Sequence, residues 1–399
     1  MSGACPPHSR ISPTNAEPRS ASDAEPALPR SVALTHHWLV RRRGGERVLE
    51  AFQMLFPQAP VYTLLHDART MPQKAPVHTS ALQFLPAARR YYPALLPIMP
   101  WAARRMRVAD VDLVLCSDAA IAKAMRVAER SVLVCYCHSP MRYVWDLRDE
   151  YGKRVPGLLR PLWRGLAGML RAADRAAARR VDQFIANSAH VAERVARNYG
   201  RESVVVHPPV DLPAAPCEGP REDFYLWVGQ PVSYKRLDLA IRACERLGRS
   251  LVVVGEGTRR HVPAGSPRVV CRDWLSDDHV RDLYRRARGL LFPGEEDFGI
   301  VPVEAMAHGC PVIAYARGGA CETVQEGVTG VWCATQDAGD FAAAIERCES
   351  LNFDPRLMHA AMQRFSLRRF LERMTALLIE AAGRGRAAAG ITKPEVASR

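Results

Sequence analysis

Two glutamates in the second half of the chain have a spacing suited to holding a ligand between them. Glu296 and Glu304 are separated by seven residues in the segment EDFGIVPVEAMAHGCPV. Pro302 suits the first turn of a helix, and Gly309 suits its C-terminal cap. The pattern therefore predicts a helix start flanked by two carboxylates, each able to accept hydrogen bonds from neutral hydroxyls.

The same helix start has free backbone N–H groups. Those around Phe298, Gly299 and Ile300 would face whatever lies in front of the helix, and they favour an anion there. A nucleotide sugar presents hexose hydroxyls, a central diphosphate and ribose hydroxyls in that order. The segment therefore predicts a nucleotide-sugar site; the alternative is a solvated loop whose charge suits the helix dipole.

A cationic turn follows another strand. In YLWVGQPVSYKRLDLAI a strand ends at Gly229, and Lys235 and Arg236 precede a helix. A cation at this place can neutralise a leaving diphosphate, and charged hydrogen bonds of this kind are worth about 1.5–3 kcal/mol each. The alternative for Lys235 is an exposed lysine at a helix start.

Two segments in the first half of the chain contain residues suited to contact with a ligand. One lies between the first strand and a helix, and the other lies at the end of a later strand. Gly44 and Gly45 precede a helix and let the backbone approach a phosphate or sugar closely, although an ordinary turn has the same pattern. His138 ends the strand in VCYCHSPMRYVWDLRDEY, at the edge where open α/β sheets bind ligands.

These segments together resemble the retaining glycosyltransferases of the glycogen-synthase-like family four, which have the GT-B fold. The resemblance covers residues 31–382, and the string FPGEEDFGIVPVEAMAHGCPVIAYARGGACETV is most similar to bacterial polysaccharide mannosyltransferases. It implies that Glu296 holds the transferred sugar and Glu304 the ribose. It also implies that the Gly44–Gly45 loop lies over the diphosphate, near the acceptor, and that His138 lies near the sugar. Five further residues then become candidates for the side of the cleft that binds the acceptor, although the last four are more often structural when taken singly: Glu46, Arg142, Tyr143, Trp145 and Asp146.

The chain departs from the family pattern at one position. The family usually has an arginine just after the Gly229 strand and a lysine a few residues later, both on the donor phosphates. Here Gln230 occupies the first position, and Lys235 is retained. The resemblance therefore implies that Arg236 or another group replaces the missing charge.

Short β-branched runs alternate with helical stretches on both sides of a proline-rich segment, VHPPVDLPAAPCEGP. This alternation predicts parallel sheets with helices on both faces, in an α/β fold of two Rossmann-like domains facing a central cleft. A C-terminal helix could cross back to the first domain. The predicted divisions are a disordered tail (1–30), an acceptor domain (31–208), a nucleotide-sugar domain (209–354), a closing helical segment (355–382) and a flexible tail (383–399).

The composition of the chain limits the classes of binding partner and the cellular compartment. The net charge of +13 comes mostly from arginines spread along helical stretches, which favours anionic small molecules or an anionic membrane surface over nucleic acid. Eleven scattered cysteines and a first segment without an apolar block predict reduced thiols in the cytoplasm. The runs LPAARRYYPALLPIMPWAARRMR and LLRPLWRGLAGMLRAADR can lie on a membrane, although the second is equally the pattern of a core-facing helix with a basic outer side.

The sequence therefore predicts a retaining, metal-independent hexosyltransferase with no cofactor, peripheral on the cytoplasmic membrane or free of it. The first hypothesis is transfer of mannose from GDP-mannose to a lipid-linked or saccharide acceptor in surface polysaccharide or lipopolysaccharide synthesis. Two alternatives stay open. Gln230 makes a catalytically degenerate sugar-binding protein plausible, and VVVGEG begins a dinucleotide fingerprint that would suit an NAD-dependent oxidoreductase.

Overall fold

Two parallel sheets form the framework of the protein in a computed structural model that describes residues 28–153 and 155–390. The strands of the first sheet pair in the order β3-β2-β1-β4-β5-β6-β7. Residues 1–27 and 391–399 of the predicted tails lie outside the described residues. The seven strands of this sheet are β1 (Val32–His36), β2 (Val61–Thr63), β3 (Val77–Thr79), β4 (Leu113–Asp118), β5 (Val132–Cys137), β6 (Gln183–Ala186) and β7 (Ser203–Val205).

The second sheet is also parallel, with the order β10-β9-β8-β11-β12-β13. Its central strands are apolar and buried, as expected for a parallel sheet covered by helices on both faces. Its strands are β8 (Tyr225–Val228), β9 (Leu251–Val254), β10 (Val269–Arg272), β11 (Gly289–Phe292), β12 (Val312–Tyr315) and β13 (Gly330–Cys333). The prediction of two Rossmann-like α/β domains is confirmed.

Helices connect the strands and cover both sheets. Five belong to the first domain and five to the second, and the last two follow the second sheet. They are α1 (Gly44–Leu55), α2 (Met99–Arg105), α3 (Arg148–Lys153), α4 (Arg160–Ala178), α5 (Ala189–Tyr199), α6 (Leu237–Leu247), α7 (Asp277–Arg286), α8 (Ile300–Ala307), α9 (Ala320–Thr323), α10 (Ala338–Glu349), α11 (Pro355–Met362) and α12 (Leu367–Gly390). None of the described helices is long and apolar enough to cross a membrane.

The closing segment returns to the first domain. Phe370 of α12 packs against Phe52 and Tyr136, with ring centroids 6.0 and 5.8 Å apart. The predicted helical run 355–382 is interrupted at Ser366, because the chain there pairs with the interdomain linker through a bridge to Val210. The last helix continues to Gly390, eight residues into the predicted tail 383–399, where alanines of high helix propensity follow.

A buried ion triad fixes the end of β4 beneath the site. Lys123 Nζ lies 2.9 Å from Asp118 and 2.6 Å from Asp174, and all three side chains are almost fully buried. The carbonyl of Asp118 accepts the N–H of His138 at 2.8 Å, so the triad also holds the end of β5. The ends of these strands are therefore set by charges that no water screens.

Removal of the cation from this triad should be strongly destabilising. We expect Lys123→Met to lower the free energy of unfolding by about 3–5 kcal/mol, because two buried carboxylates lose their common partner. Urea unfolding followed by circular dichroism measures the change. Lys74→Met, at an exposed lysine, is the control. An equally small effect of both variants would show that the triad is not buried in solution.

Candidate active site

The cationic turn and the first glutamate meet in the cleft. Lys235 Nζ lies 2.9 Å from Glu296 Oε1, and both side chains are mostly buried. Burial alone would lower the pKa of Lys235, but the neighbouring Glu296 carboxylate outweighs it and the pKa is raised. The site therefore holds a fixed positive charge against a carboxylate.

Two glycines allow this approach. Gly229 has φ 154°, and a Cβ on it would lie 3.1 Å from Lys235 Nζ. A Cβ on Gly294 would lie 2.8 Å from the Cα of Lys235 and from the carbonyl of Tyr234. The lysine turn and the glutamate loop thus come together at positions where a larger residue would force them apart.

Gly44, the first residue of the Gly44–Gly45 pair, lies against the start of α8. Gly299 caps this helix with φ 84°, and a Cβ on Gly44 would lie only 2.7 Å from the Ile300 side chain. Phe298 is buried and packs against His207 and Phe365, so only its backbone can face a ligand. The helix start and the glycine loop, predicted separately, are neighbours across the two domains.

The second glutamate is held by a residue of the first domain. Glu304 accepts from Arg47 Nη1 at 2.6 Å and from the Tyr284 hydroxyl at 3.2 Å. Burial raises the pKa of Glu304, although Arg47 opposes the effect. These side chains line a cavity of about 140 Å³ that also reaches Val228 and His308. Glu304 therefore stands at a small pocket beside the end of β8.

A chain of hydrogen bonds runs beneath His138. Its Nε2 lies 2.8 Å from the Ser117 hydroxyl, which lies 3.1 Å from His36 Nδ1. His36 Nε2 is 3.6 Å from Glu46 Oε1. Gly45 lies over the ring, because a Cβ there would be 3.5 Å from His138 Nε2. His138 is thus held from below and covered by the second glycine of the pair.

Glu46 does not face an acceptor, contrary to the prediction. Its side chain is buried, and Oε2 accepts the N–H of Arg43 at 2.8 Å. The neighbouring His36, with Nε2 3.6 Å from Oε1, lowers the pKa of Glu46 to about 2 in spite of burial. The reason for its position is local: a glutamate at the third residue of a helix reaches back to cap the free N–H before it.

The histidines under the glycine loop should make stability depend on pH. Burial lowers the pKa of His37 to about 3 and that of His138 to about 4, below the usual value of 6.5. The folded state then binds fewer protons than the unfolded state between pH 6.5 and 4. The free energy of unfolding therefore has its full value above this range and falls as the pH drops through it. We expect a loss on the order of 5 kcal/mol between pH 7 and 4.5 in urea unfolding, about 2.5 kcal/mol from each histidine. The slope should flatten in His37→Gln and not in the exposed His261→Gln; equal slopes in all three proteins would refute this origin.

The other predicted acceptor-side residues separate into two groups. Arg142 faces the second domain, where Nη2 donates to the Glu295 carbonyl at 3.1 Å and its guanidinium lies 4.3 Å from the Tyr234 ring centre. Asp146 pairs with Arg197 at 2.7 Å and also with Arg194. Both therefore lie at the cleft.

Tyr143 and Trp145 lie inside the first domain. The Tyr143 hydroxyl is buried, and burial raises the pKa of this side chain. Trp145 donates its indole N–H to Asp174 at 2.8 Å and packs under Arg175 of α4. The structure places the Trp145 ring against α4, and its predicted acceptor-side role stays a prediction.

Arg236 points away from the lysine–glutamate pair. It has φ 51° and forms two bonds with Asp238, and Nη1 donates to Gln336 at 3.3 Å. The positive charge of Arg142 acts on Lys235 and opposes the rise of its pKa. A contact of Arg236 with phosphate, predicted from the sequence, stays a prediction.

Several contacts between the domains were not predicted. Arg194 of α5 binds Asp297, the residue after Glu296, and the Ser188 hydroxyl donates to the Asp297 carbonyl at 2.6 Å. Glu322 accepts from the backbone N–H of Ala189 at 2.9 Å and lies 2.9 Å from His207 Nε2. The loop that carries Glu296 is therefore held by three residues of the first domain, Arg142, Arg194 and Ser188.

Two groups of buried side chains bring possible metal ligands within 4.8 Å of one another. In the first, Glu46 already accepts a backbone N–H; in the second, Asp118 is paired with Lys123. Metal independence of the reaction stays a prediction. The groups are His36, His37 and Glu46, and Cys116, Asp118 and Cys135.

Two family models match the chain. The model described as "Glycosyltransferase Family 4" matches residues 44–213, from the glycine pair to the linker. The model described as "Glycosyl transferases group 1" matches residues 222–350, which contain Lys235 and both glutamates. Both halves of the chain therefore match models of glycosyltransferases.

Relatives of this glycosyltransferase align over part of their length. The D-inositol 3-phosphate glycosyltransferase of Mycobacterium sp. (strain KMS) is 32% identical over 194 residues, covering 41% of this chain and 44% of that protein. The glycogen synthase of Mycobacterium tuberculosis is 31% identical over 229 residues, covering 50% of this chain and 54% of that protein. The chain spans about half the length of these curated relatives.

The fold of this glycosyltransferase is shared with solved structures. HepE of Anabaena in complex with UDP has a TM-score of 0.62 at 18% identity, covering 88% of this chain and 100% of that chain. The sucrose-phosphate synthase of Thermosynechococcus elongatus has a TM-score of 0.60 at 16% identity, covering 91% of this chain and 100% of that chain. These similarities show the GT-B fold.

Proposed function

We propose that the protein transfers a hexose from a nucleotide-sugar donor to a saccharide acceptor, with retention of configuration and without a metal. The observation that carries the proposal is the contact of Lys235 with Glu296 in front of the α8 N-terminus, with Glu304 on the same helix. Carboxylates on either side of a cationic, N–H-rich centre match the hydroxyl–diphosphate–hydroxyl order of a nucleotide sugar. Glu296 would hold the sugar and Glu304 the ribose.

In this proposal the protein acts mainly by electrostatics and exclusion of water. The departing diphosphate is stabilised by Lys235 and by the backbone N–H groups around Gly299. The Gly44–Gly45 loop closes over it, which is supported by the near contact of Gly44 with Ile300. The incoming hydroxyl attacks the face that the diphosphate leaves, so the diphosphate accepts its proton and His138 acts as a sugar contact.

GDP-mannose is the first donor to test, as the resemblance to mannosyltransferases suggests. UDP-glucose is the second, because HepE of Anabaena has been solved with UDP and with UDP-glucose. The proposed acceptor is a lipid-linked saccharide of surface polysaccharide synthesis, reached by an enzyme on the inner face of the cytoplasmic membrane.

The proposal is tested by incubating the protein with GDP-mannose, UDP-glucose and ADP-glucose, with a chelator and with membrane lipid extract as acceptor. We expect release of one nucleoside diphosphate and an α-linked product by NMR. Transfer that stops with the chelator would refute metal independence, and a β-linked product would refute retention. Donor binding without turnover on any acceptor would favour the degenerate sugar-binding protein suggested by Gln230.

The role of Glu304 is tested by a pair of variants that break the same ion pair. Glu304→Ala should weaken nucleoside diphosphate binding about tenfold to a hundredfold, because a buried charged acceptor of the ribose hydroxyls is lost. Arg47→Ala removes the bridge to the first domain but leaves the carboxylate in place. Calorimetry should show the loss only in Glu304→Ala. An equal loss of affinity in both variants would mean that the Arg47–Glu304 ion pair, and not a contact of Glu304 with the ribose, supports nucleoside diphosphate binding.

An NAD-dependent oxidoreductase is the second candidate, and the structure favours it less. The loop after β9 has the first two glycines of a dinucleotide fingerprint, Gly255 and Gly257. A Cβ on Gly255 would lie 1.8 Å from the Gly229 carbonyl. This glycine is therefore needed for packing against the end of β8, which explains its presence without a dinucleotide.

A further inference from the structure

The first domain carries an apolar stripe where α4 begins. Leu158, in the turn before the helix, is 97% exposed, and Leu162 is 71% exposed one helical turn later. Met169 continues the stripe, whereas Ala167 and Leu170 face the core. The sequence left open a core-facing helix with a basic outer side, but α4 has apolar side chains on its outer side too.

A second apolar segment of the first domain is also exposed. Trp101 of α2 is 55% exposed, and Phe84 is 85% exposed. Both α2 and α4 pack against the turn Ala122–Ala124. We call the two exposed segments together the apolar face; its residues are Phe84, Tyr91, Ile98, Trp101, Leu158 and Leu162.

Basic groups border the apolar face. Arg105 lies over the Trp101 ring at 4.2 Å. Between α3 and α4 a cavity of about 200 Å³ is walled by Trp163, whose indole N–H donates to the Arg148 carbonyl at 3.3 Å. We call this cavity the basic pocket; its charged lining residues are Arg148, Asp149, Lys153, Arg160 and Arg164.

The basic pocket has uncompensated positive charge. Its acid, Asp149, is bound by Arg148 at 3.0 Å. Within the two ranges that the structure describes, Lys153, Arg160 and Arg164 form no ion pair. A cluster of cations beside a tryptophan and exposed leucines matches the interface of an anionic bilayer, where charge meets phosphate and leucines meet acyl chains.

We propose that the basic pocket binds the phosphate headgroup of an anionic lipid while the apolar face inserts into the bilayer surface. The pocket also borders the cleft, because Glu150 of α3 accepts from the Ser233 hydroxyl of the second domain at 2.9 Å. A lipid-linked acceptor in that bilayer would thus be presented beside the cleft mouth. This last consequence rests on the proposed function; the lipid site itself does not.

The test is sedimentation of the full chain with sucrose-loaded vesicles of phosphatidylcholine, with and without phosphatidylglycerol. R160Q/R164Q removes two charges from the pocket, and L158S/L162S removes the apolar stripe. R242Q/R246Q is the matched control, since Arg242 and Arg246 have the same spacing on the exposed side of α6 in the second domain. Circular dichroism and nucleoside diphosphate binding verify that each variant is folded.

We expect binding only to the anionic vesicles. Each of the first two variants should lower the partition coefficient on the order of tenfold or more, and the control should not. Failure of the wild-type protein to sediment would overturn the proposal, as would equal binding by R160Q/R164Q and the control. Unchanged binding by L158S/L162S would exclude insertion. Donor binding without vesicle binding would sink this proposal alone, and vesicle binding without donor binding would sink the proposed function alone.

Discussion

Glu296→Ala should lower the rate of sugar transfer by at least about 10²–10³-fold while nucleoside diphosphate binding stays largely intact. The carboxylate is proposed to contact the transferred sugar, where charge develops as the bond to the diphosphate breaks. In the structure it also binds Lys235 at 2.9 Å. Its removal frees this lysine for the diphosphate, so the affinity for the nucleotide should not fall. The rate is measured by release of nucleoside diphosphate, and the affinity by calorimetry.

The neighbouring Glu295→Ala is the matched control for this variant. Arg142 binds the Glu295 carbonyl and not its carboxylate, so the loop stays anchored when the side chain is shortened. The Glu295 side chain is half exposed and lies 3.7 Å from His190. We expect this control to retain most of its transfer rate. Equal losses of rate and nucleotide affinity in Glu296→Ala would contradict a role at the sugar.

Lys235→Ala should weaken both donor binding and transfer, and it should do so more than any other single cation change in the cleft. A charged hydrogen bond to the diphosphate contributes about 1.5–3 kcal/mol, or roughly a 10- to 150-fold change, and more in the transition state as the negative charge grows. Gln230 stands where the family usually has a second cation, which leaves Lys235 with a larger share. Nucleoside diphosphate calorimetry and initial rates measure the two effects.

Arg236→Ala discriminates between the two adjacent cations. The family resemblance implies that Arg236 or another group replaces the missing charge, whereas the structure pairs the Arg236 guanidinium with Asp238 and Gln336. We therefore expect a smaller loss than in Lys235→Ala. If both variants lost donor affinity equally, Arg236 would have to leave Asp238 and share the diphosphate. If neither lost it, the diphosphate would lie elsewhere.

The parts of the site that could be predicted from the sequence are those fixed by local rules. Gly229 and His138 each come directly after a parallel strand, one in each sheet, and open α/β sheets bind ligands at the carboxyl ends of such strands. Pro302 and Gly309 mark the two ends of a helix that the structure places at residues 300–307. Strand alternation likewise predicted two α/β domains. These features depend on neighbours within a few residues, which a single sequence displays.

The parts that could not be predicted depend on how the domains meet. Arg47 and Glu304 are 257 residues apart in the chain, and no pattern in one segment indicates the other. Arg194 and Asp297 form the same kind of pair. Glu46 is different, because its position three residues after the helix cap is a known capping pattern and could have indicated its buried role.

Calorimetry of GDP, UDP, ADP and NAD with the wild-type protein, with a chelator present throughout, tests the central claim most directly. The claim is that Lys235, Glu304 and the start of α8 form a metal-independent site for the nucleoside diphosphate of a sugar donor. It predicts that one nucleoside diphosphate binds in the chelator, that Lys235→Ala weakens this binding, and that NAD does not compete. Binding of NAD alone, or nucleotide binding that appears only when a divalent metal is restored, would contradict it.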